Sequence, residues 1–267
     1  MRIADALAEE QECLTAGQVA DRAISCLDLG VGFSLVRCGD GEGRLLAYPG
    51  GIHRAILNRH LRFWFGHSDF SDLAILAMQA VLVTAIDMAD VLGVYKGRVR
   101  NQWWQVPWMY VHRTGRDEES VCSVDVHQAL WMAGHLHRVA AACDRIVIVT
   151  CRSDVVYGPL VRMFERPVNP IGVPEEGHTG ERATDHWRQF NTIEARVREL
   201  CEPGVLCLVG AGVLGKAYTV AAARAGAVAL DIGSVFDGWA GVESRSYLAR
   251  SIGRFDLGKQ VKRPAAI

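Results

Sequence analysis

The side chains best suited to chemistry lie in one short segment, VRCGDGEG, directly after an apolar run. Asp40 and Glu42 stand two positions apart among glycines, so a turn there can direct both carboxylates to one point. One or two carboxylates, completed by phosphate oxygens and water, commonly hold Mg²⁺ or Mn²⁺. Arg37 can pair with a phosphate oxygen. The segment predicts a metal and diphosphate site on a turn where Gly39 and Gly41 are free to adopt positive φ. The alternative is a solvated acidic turn.

A second segment, VGAGVLGKAYTVAAARAGAVALDIG, has the order of a phosphate-binding βαβ unit. An apolar strand leads into Gly210, Gly212 and Gly215, a helical stretch follows, and a second strand ends near Asp231. Glycines let the backbone approach a diphosphate, and the helix start offers N–H groups and partial positive charge. Lys216 would add a cation there. A P-loop is set aside because alanine follows this lysine where serine or threonine is required. A turn that only packs closely is the alternative.

The elements that must position these segments alternate between strand and helix. Strand-like runs cover residues 33–38, 91–95, 145–151, 168–173, 205–211 and 228–233. Helical patterns cover residues 4–29, 73–89, 126–142, 154–164, 187–200 and 213–225. This alternation predicts a single-domain α/β fold with a Rossmann-like, mostly parallel sheet flanked by helices. We assign residues 1–258 to the domain and 259–267 to a frayed C-terminal tail, and predict that 96–120 and 167–185 are loops over the site.

Composition excludes several classes of protein. The 29 basic and 30 acidic residues leave a net charge of -1, which gives no field to collect nucleic acid or an anionic membrane. The eight cysteines include no CxxC pair, and the first residues lack the regions of a secretory signal, so a cytoplasmic location is predicted. The longest apolar stretch, residues 73–86, is shorter than the roughly 20 residues of a transmembrane helix. The oligomeric state stays open, a homo-oligomer included.

Together the two segments resemble the GT-D-type glycosyltransferases. Members carry an R-x-GDGE segment after an early strand, and a glycine-rich turn leading to a D-I-G segment late in the chain. RCGDGE and VGAGVLGKAY…AVALDIGSVFDGW match this pattern here, and the resemblance is strongest over residues 33–48 and 203–241. It implies a Rossmann-like domain, a nucleotide-sugar donor (commonly a UDP-sugar), a Mn²⁺ or Mg²⁺ ion, and transfer to a glycan or glycosylated acceptor.

The resemblance also assigns residues. Asp40 and Glu42 match the pair that engages metal and donor diphosphate, and Arg37 matches the arginine before it. Ser234 departs from the pattern, because better-known members carry histidine after D-I-G. The predicted site comprises catalytic Asp40, Glu42 and Asp237, the metal ligands Asp40 and Glu42, and donor-binding Arg37, Gly39, Gly41, Gly210, Gly212, Gly215, Lys216 and Asp231.

Two other functions stay open. An NAD-dependent oxidoreductase would place the glycine turn on the pyrophosphate and Asp231 on the adenosine ribose. That reading leaves Arg37, Asp40 and Glu42 unexplained. A non-catalytic nucleotide-binding protein would keep the fold without the chemistry, and Ser234 keeps this reading open.

The remaining candidates concern the acceptor. A general base must reach the acceptor hydroxyl, and the candidates are Asp237, Glu243, Asp185, Glu175 and Glu176. The first two are favoured because they follow the D-I-G segment at the edge of the sheet where open α/β sites form. The aromatic residues Trp103, Trp104, Trp108 and Tyr110 could stack on a sugar or a base, although cover of the core is the favoured interpretation.

Overall fold

A computed structural model describes residues 13–95, 102–115, 118–176 and 186–244. Its strands are β1 Phe33–Arg37, β2 Val91–Val94, β3 Val121–Ser123, β4 Arg145–Thr150, β5 Val168–Gly172, β6 Val205–Gly210 and β7 Val228–Asp231. They form one sheet in the order β3-β2-β1-β7-β6-β4-β5, and every neighbouring pair is parallel. The Rossmann-like α/β fold predicted from the sequence is confirmed. The predicted tail, the first part of the predicted N-terminal helix and Asp185 lie outside the described residues.

Helices cover both faces of the sheet. They are α1 Ala16–Leu29, α2 Asp40–Leu46, α3 Arg54–Phe65, α4 Asp72–Met88, α5 Gln105–Arg113, α6 Val126–Met132, α7 His135–Ala141, α8 Ser153–Phe164, α9 His186–Leu200, α10 Gly215–Arg224 and α11 Val235–Trp239. In β4, Val147 and Val149 belong to one apolar cluster, while Ile146 and Ile148 belong to the other. Burial on both faces explains the uninterrupted apolar runs by which the longer strands could be predicted. Among the described helices, none is long and apolar enough to cross a membrane.

Several local predictions were wrong. The expected acidic turn is the first turn of α2, with Gly39 as its N-cap at φ -104° and Gly41 inside the helix, so neither glycine has positive φ. The Glu42 carboxylate accepts the backbone N–H of Gly39 at 2.8 Å, which replaces a missing helical hydrogen bond and stabilises the helix start. The single helix predicted over 126–142 is two helices, separated by Gly134 at φ +75°.

The sequence also missed whole elements. Helices α3, α5 and α11 and strand β3 were not predicted, and α5 lies inside the segment 96–120 that was expected to be a loop. Strand β3 has only three residues, and its position depends on pairing with β2. Helix α3 matters most for the site, because it brings side chains to the edge where the parallel strands end.

Candidate active site

One cavity of about 720 Å³ lies at the carboxyl edge of the sheet. The ends of β1, β4, β6 and β7 border it, as do α2 and α3. The predicted site residues that line it are Arg37, Gly39, Asp40, Gly41, Glu42, Gly210, Gly212, Lys216, Asp231 and Asp237. Gly215 is not among the lining residues; it begins α10 and packs against the Val209 side chain. The early acidic segment and the late glycine turn therefore meet in one space.

A buried charge network joins the two segments. The Lys216 ammonium donates to the Asp231 carboxylate at 2.7 Å and forms an ion pair with Glu42 at 3.2 Å. Arg37 Nη2 donates to the other Asp231 oxygen at 3.1 Å. The side chains of Lys216, Asp231 and Glu42 are only 8%, 3% and 12% exposed. Two cations thus balance two carboxylates almost out of contact with water, as buried charges require.

The ionisation of this network follows from its contacts. Burial alone would raise the pKa of the Asp231 carboxyl, but Arg37 and Lys216 outweigh burial and hold that pKa below its ordinary value. Burial alone would lower the pKa of Lys216, but Asp231 and Glu42 raise it above its ordinary value. Asp231 and Lys216 therefore both stay charged at neutral pH.

Arg37 ties several parts of the chain together. Its Nε donates to the Asp231 carbonyl at 2.7 Å, and its Nη1 donates to the Val124 carbonyl at 3.0 Å and to His127 Nδ1 at 2.8 Å. With the Nη2 bond to Asp231, four of its five N–H donors are used within the protein. The guanidinium lies against Gly233, where a Cβ atom would stand 2.2 Å from Nη2. Within the described residues, one N–H of Arg37 thus remains for the predicted contact with phosphate.

These contacts bear on the alternative of a dehydrogenase. A residue that binds the adenosine ribose needs a carboxylate open to the cofactor. Asp231 instead accepts from Arg37 on one oxygen and from Lys216 on the other, and it is 3% exposed. The geometry therefore disfavours the NAD interpretation.

Asp40 is the open carboxylate of the pair. Its side chain is 38% exposed, and Oδ2 accepts from Arg44 Nη1 at 2.5 Å. Glu42 is committed to the Gly39 N–H and to Lys216. Over the described ranges, no group of three or more His, Cys, Asp or Glu side chains converges as a metal site. Two carboxylates at a cavity still fit Mg²⁺ or Mn²⁺, because such ions take further ligands from phosphate and water.

The glycine turn after β6 has one position that needs glycine for its conformation. Gly212 has φ +56°, and a Cβ atom there would lie 1.6 Å from a Glu176 carboxylate oxygen. The Glu176 side chain therefore covers part of this turn. At Gly210 a Cβ atom would lie 2.5 Å from the Phe236 ring, so that glycine allows packing inside the protein.

Arg152, which the sequence analysis missed, organises the opposite part of the cavity. It donates through Nε to Asp237 Oδ1 at 2.9 Å and pairs through Nη1 with Glu175. Asp237 Oδ2 accepts from the Ser244 hydroxyl at 2.6 Å. Arg152 could have been found from the sequence, because it follows the apolar run of β4 and so lies at the edge of the sheet where the acidic segment and the glycine turn also lie.

Some of the other residues predicted from the sequence line the cavity, and others do not. Glu243 is exposed and is not among the cavity-lining residues, whereas Ser234 and Glu176 line the cavity. Trp104 also lines it, while Trp103, Trp108 and Tyr110 pack against the core, as favoured from the sequence.

Comparison with known proteins agrees with this architecture. The family described as a GT-D fold-like domain matches residues 14–239. A glycosyltransferase from Streptococcus sanguinis with domain of unknown function 1792 is 18% identical, with 82% of each chain covered and a TM-score of 0.49. The selenomethionine structure of domain of unknown function 1792 is 14% identical, with 85% of this chain and 80% of that chain covered and a TM-score of 0.53.

A further structure of this domain is described as having a distinct glycosyltransferase fold. It is 14% identical, with 85% of this chain and 80% of that chain covered and a TM-score of 0.52. At such low identity the likeness concerns the fold. No curated protein matches the chain.

Proposed function

The chain belongs to the GT-D-like family of glycosyltransferases, and from this premise we propose that it transfers a sugar from a nucleotide-sugar, with UDP-sugars the first candidates, to a hydroxyl of a glycan or glycosylated acceptor. Family membership confirms the glycosyltransferase class predicted from the sequence. One observation carries the finer proposal. The R-x-GDGE segment and the glycine turn leading to D-I-G, which are far apart in sequence, line the same cavity and share a buried charge network.

In the proposed reaction the acceptor oxygen bonds to the anomeric carbon of the donor, and the nucleoside diphosphate leaves with the bonding electrons. Negative charge develops on the leaving diphosphate, so fixed positive charge near it lowers the barrier. Arg37 and Lys216 are held in place before the donor binds, which avoids reorganisation during the reaction. Asp231 and Glu42 balance their charge, so the two side chains act through N–H groups of fixed direction. The Gly210–Gly212 backbone would contact the diphosphate once the Glu176 side chain, which covers part of this turn, moves aside.

The proposal includes a Mg²⁺ or Mn²⁺ ion held by Asp40, with Glu42 as second ligand. Asp40 presents an exposed carboxylate to the cavity, and a Glu42 oxygen can accept more than one partner. When bound, such an ion neutralises phosphate charge as a Lewis acid. Arg44 contacts Asp40 and thereby helps to fix the position of its carboxylate.

Asp237 is proposed as the general base for the acceptor hydroxyl. Arg152 and Ser244 each contact one of its oxygens and so orient the carboxylate. A carboxylate has about four acceptor sites, so two hydrogen bonds leave room for a substrate hydroxyl. A cytoplasmic location and a homo-oligomer stay predictions of the sequence.

Donor binding tests the proposal directly. UDP-sugars with Mn²⁺ are expected to raise the melting temperature, since a ligand that binds only the folded state stabilises it. The Asp40→Asn variant should lose this metal-dependent shift and at least about 100-fold in sugar transfer. Asp40 is the better test of the metal because Glu42 also belongs to the buried network.

The matched control is Asp28→Asn, an exposed aspartate of α1 that is not among the residues lining the cavity. It should behave like the unmodified protein in both assays. Stabilisation by NAD without metal would support the oxidoreductase instead, and donor binding without turnover would support the non-catalytic interpretation. Full activity and metal-dependent binding in Asp40→Asn would contradict the assigned metal site.

A further inference from the structure

The helix side of the cavity is rich in aromatic rings. Trp104 lies close to Gly39: a Cβ atom on this glycine would stand 3.2 Å from a carbon of the Trp104 ring. Trp64 lies equally close to Gly41, where a Cβ atom would stand 3.0 Å from a carbon of the Trp64 ring. These glycines are the chain neighbours of Asp40, so both indoles pack against the helix start that carries it. Phe63 of α3 also lines the cavity and keeps 48% of its surface exposed, so its ring is accessible to a ligand there.

The same side carries an excess of positive charge. Arg44 is balanced by Asp40, but its buried Nε–H has no acceptor among the described residues. Arg59 of α3 lines the cavity, is exposed, and forms no ion pair or hydrogen bond with any residue in the described ranges. Among the described residues, the Arg59 guanidinium beside the aromatic rings therefore has no counter-charge.

His60 adds a hydrogen-bond acceptor. Its Nδ1 lies 3.3 Å from the Ile56 carbonyl, so Nδ1–H donates to that oxygen and Nε2 keeps its lone pair. Burial, and then the nearby Arg44, lower the pKa of His60 below its ordinary value. The ring is therefore neutral at neutral pH and can accept a hydrogen bond from a hydroxyl group.

We propose that this side of the cavity is an acceptor subsite for a sugar that carries an acidic group, a carboxylate or a phosphate. The faces of Trp104 and Phe63 suit the apolar face of a sugar ring, and pockets lined by aromatic rings with a few polar groups are typical ligand sites. The Arg59 guanidinium binds the acidic group through charge-assisted hydrogen bonds. His60 Nε2 accepts from a ring hydroxyl, which orients the sugar so that its attacking hydroxyl faces across the cavity toward Asp237.

Only the assignment of this subsite to the acceptor rests on the proposed function. The binding of a sugar to the subsite can be measured without a donor. Isothermal titration with glucuronic acid, glucose 6-phosphate and neutral glucose provides the test. At least one acidic sugar should bind about ten times more tightly than glucose, the effect expected for one charge-assisted contact. Whichever acidic sugar binds better identifies the acidic group as carboxylate or phosphate.

Two pairs of variants on α3 complete the test. Arg59→Gln should abolish the preference for acidic sugars, whereas Arg62→Gln, an exposed arginine of the same helix that is not among the cavity-lining residues, should keep it. Phe63→Ala should weaken all acidic-sugar binding, whereas Ile56→Ala, at a similarly exposed position that does not line the cavity, should not.

The outcomes separate this inference from the proposed function. Equal binding of acidic and neutral sugars, binding of neither acidic sugar, or equal losses in Arg59→Gln and Arg62→Gln would overturn the subsite. Acidic-sugar binding that depends on Arg59, in a protein that neither binds nor turns over any nucleotide-sugar, would support the subsite and refute only the transferase donor.

Discussion

Replacing Lys216 with methionine should lower the free energy of unfolding by about 3 kcal/mol. The ammonium lies 2.7 Å from Asp231 and 3.2 Å from Glu42, and the lysine side chain is 8% exposed. Removing one partner of a buried ion pair costs about 3–5 kcal/mol, because the other charge is left uncompensated. The lower figure applies here, since Arg37 still contacts Asp231 and the Gly39 N–H still contacts Glu42.

Urea unfolding followed by circular dichroism measures this change. Methionine has a length and flexibility similar to those of the lysine stem, so the loss should reflect charge more than a cavity. The midpoint should fall while the denaturant slope stays the same. For a chain of this size, a loss of about 3 kcal/mol corresponds to a fall of about 6–12 °C in melting temperature.

A second variant decides whether the charge contact is the cause. Lys216→Met combined with Glu42→Gln removes both partners of one ion pair, so its loss should be smaller than the sum of the two single losses by about 0.5–3 kcal/mol. Strict additivity would refute the contact, and so would a loss below about 1 kcal/mol in the single variant.

Three further predictions follow from the same site. Gly233→Ala should cost at least about 2 kcal/mol, because φ is +48° and the new Cβ would lie 2.2 Å from Arg37 Nη2; a urea midpoint equal to that of the unmodified protein would contradict this. The pKa of Asp231 lies below the ordinary 3.8, so its contribution to stability should be complete above pH 3.8 and be lost as the pH falls through the lower, folded-state pKa. Urea midpoints measured from neutral to acid pH check this, and in Lys216→Met the loss should be smaller and should be complete at a higher pH, because removing the ammonium raises the folded-state pKa of Asp231. Burial raises the pKa of Cys151 to about 11, so this cavity thiol should resist iodoacetamide at neutral pH; mass spectrometry showing labelling as fast as that of a free cysteine peptide would contradict it.

The order of strands and helices could be predicted because buried parallel strands have an unmistakable pattern. RIVIVT in β4 is apolar on both faces, since both faces are covered. Helix α2 could not be predicted in the same way, because two internal glycines disfavour a helix. Its formation depends on the Glu42 cap at Gly39 and on packing against Trp64, contacts that no local pattern encodes.

The position of the site could be predicted, whereas its internal pairing could not. Parallel strands share a carboxyl edge, so segments that follow strands must meet there. Which cation faces which carboxylate depends on side-chain reach across that edge. Lys216 was expected at a phosphate, yet it lies between Glu42 and Asp231. Arg59 gave no signal, because α3 itself was not predicted.

The pairing of β1 with β7 sets the order in which this protein can mature. Phe33 pairs with Val228, so partners 195 positions apart must find each other before the cavity exists. At ribosomal rates of about 5–20 residues per second, about 10–40 s separate their synthesis. During that interval Arg37 and Glu42 have emerged without Asp231 and Lys216. The candidate site therefore forms only after β7 has been synthesised, and a nascent chain that stops before β7 carries Arg37 and Glu42 without Asp231.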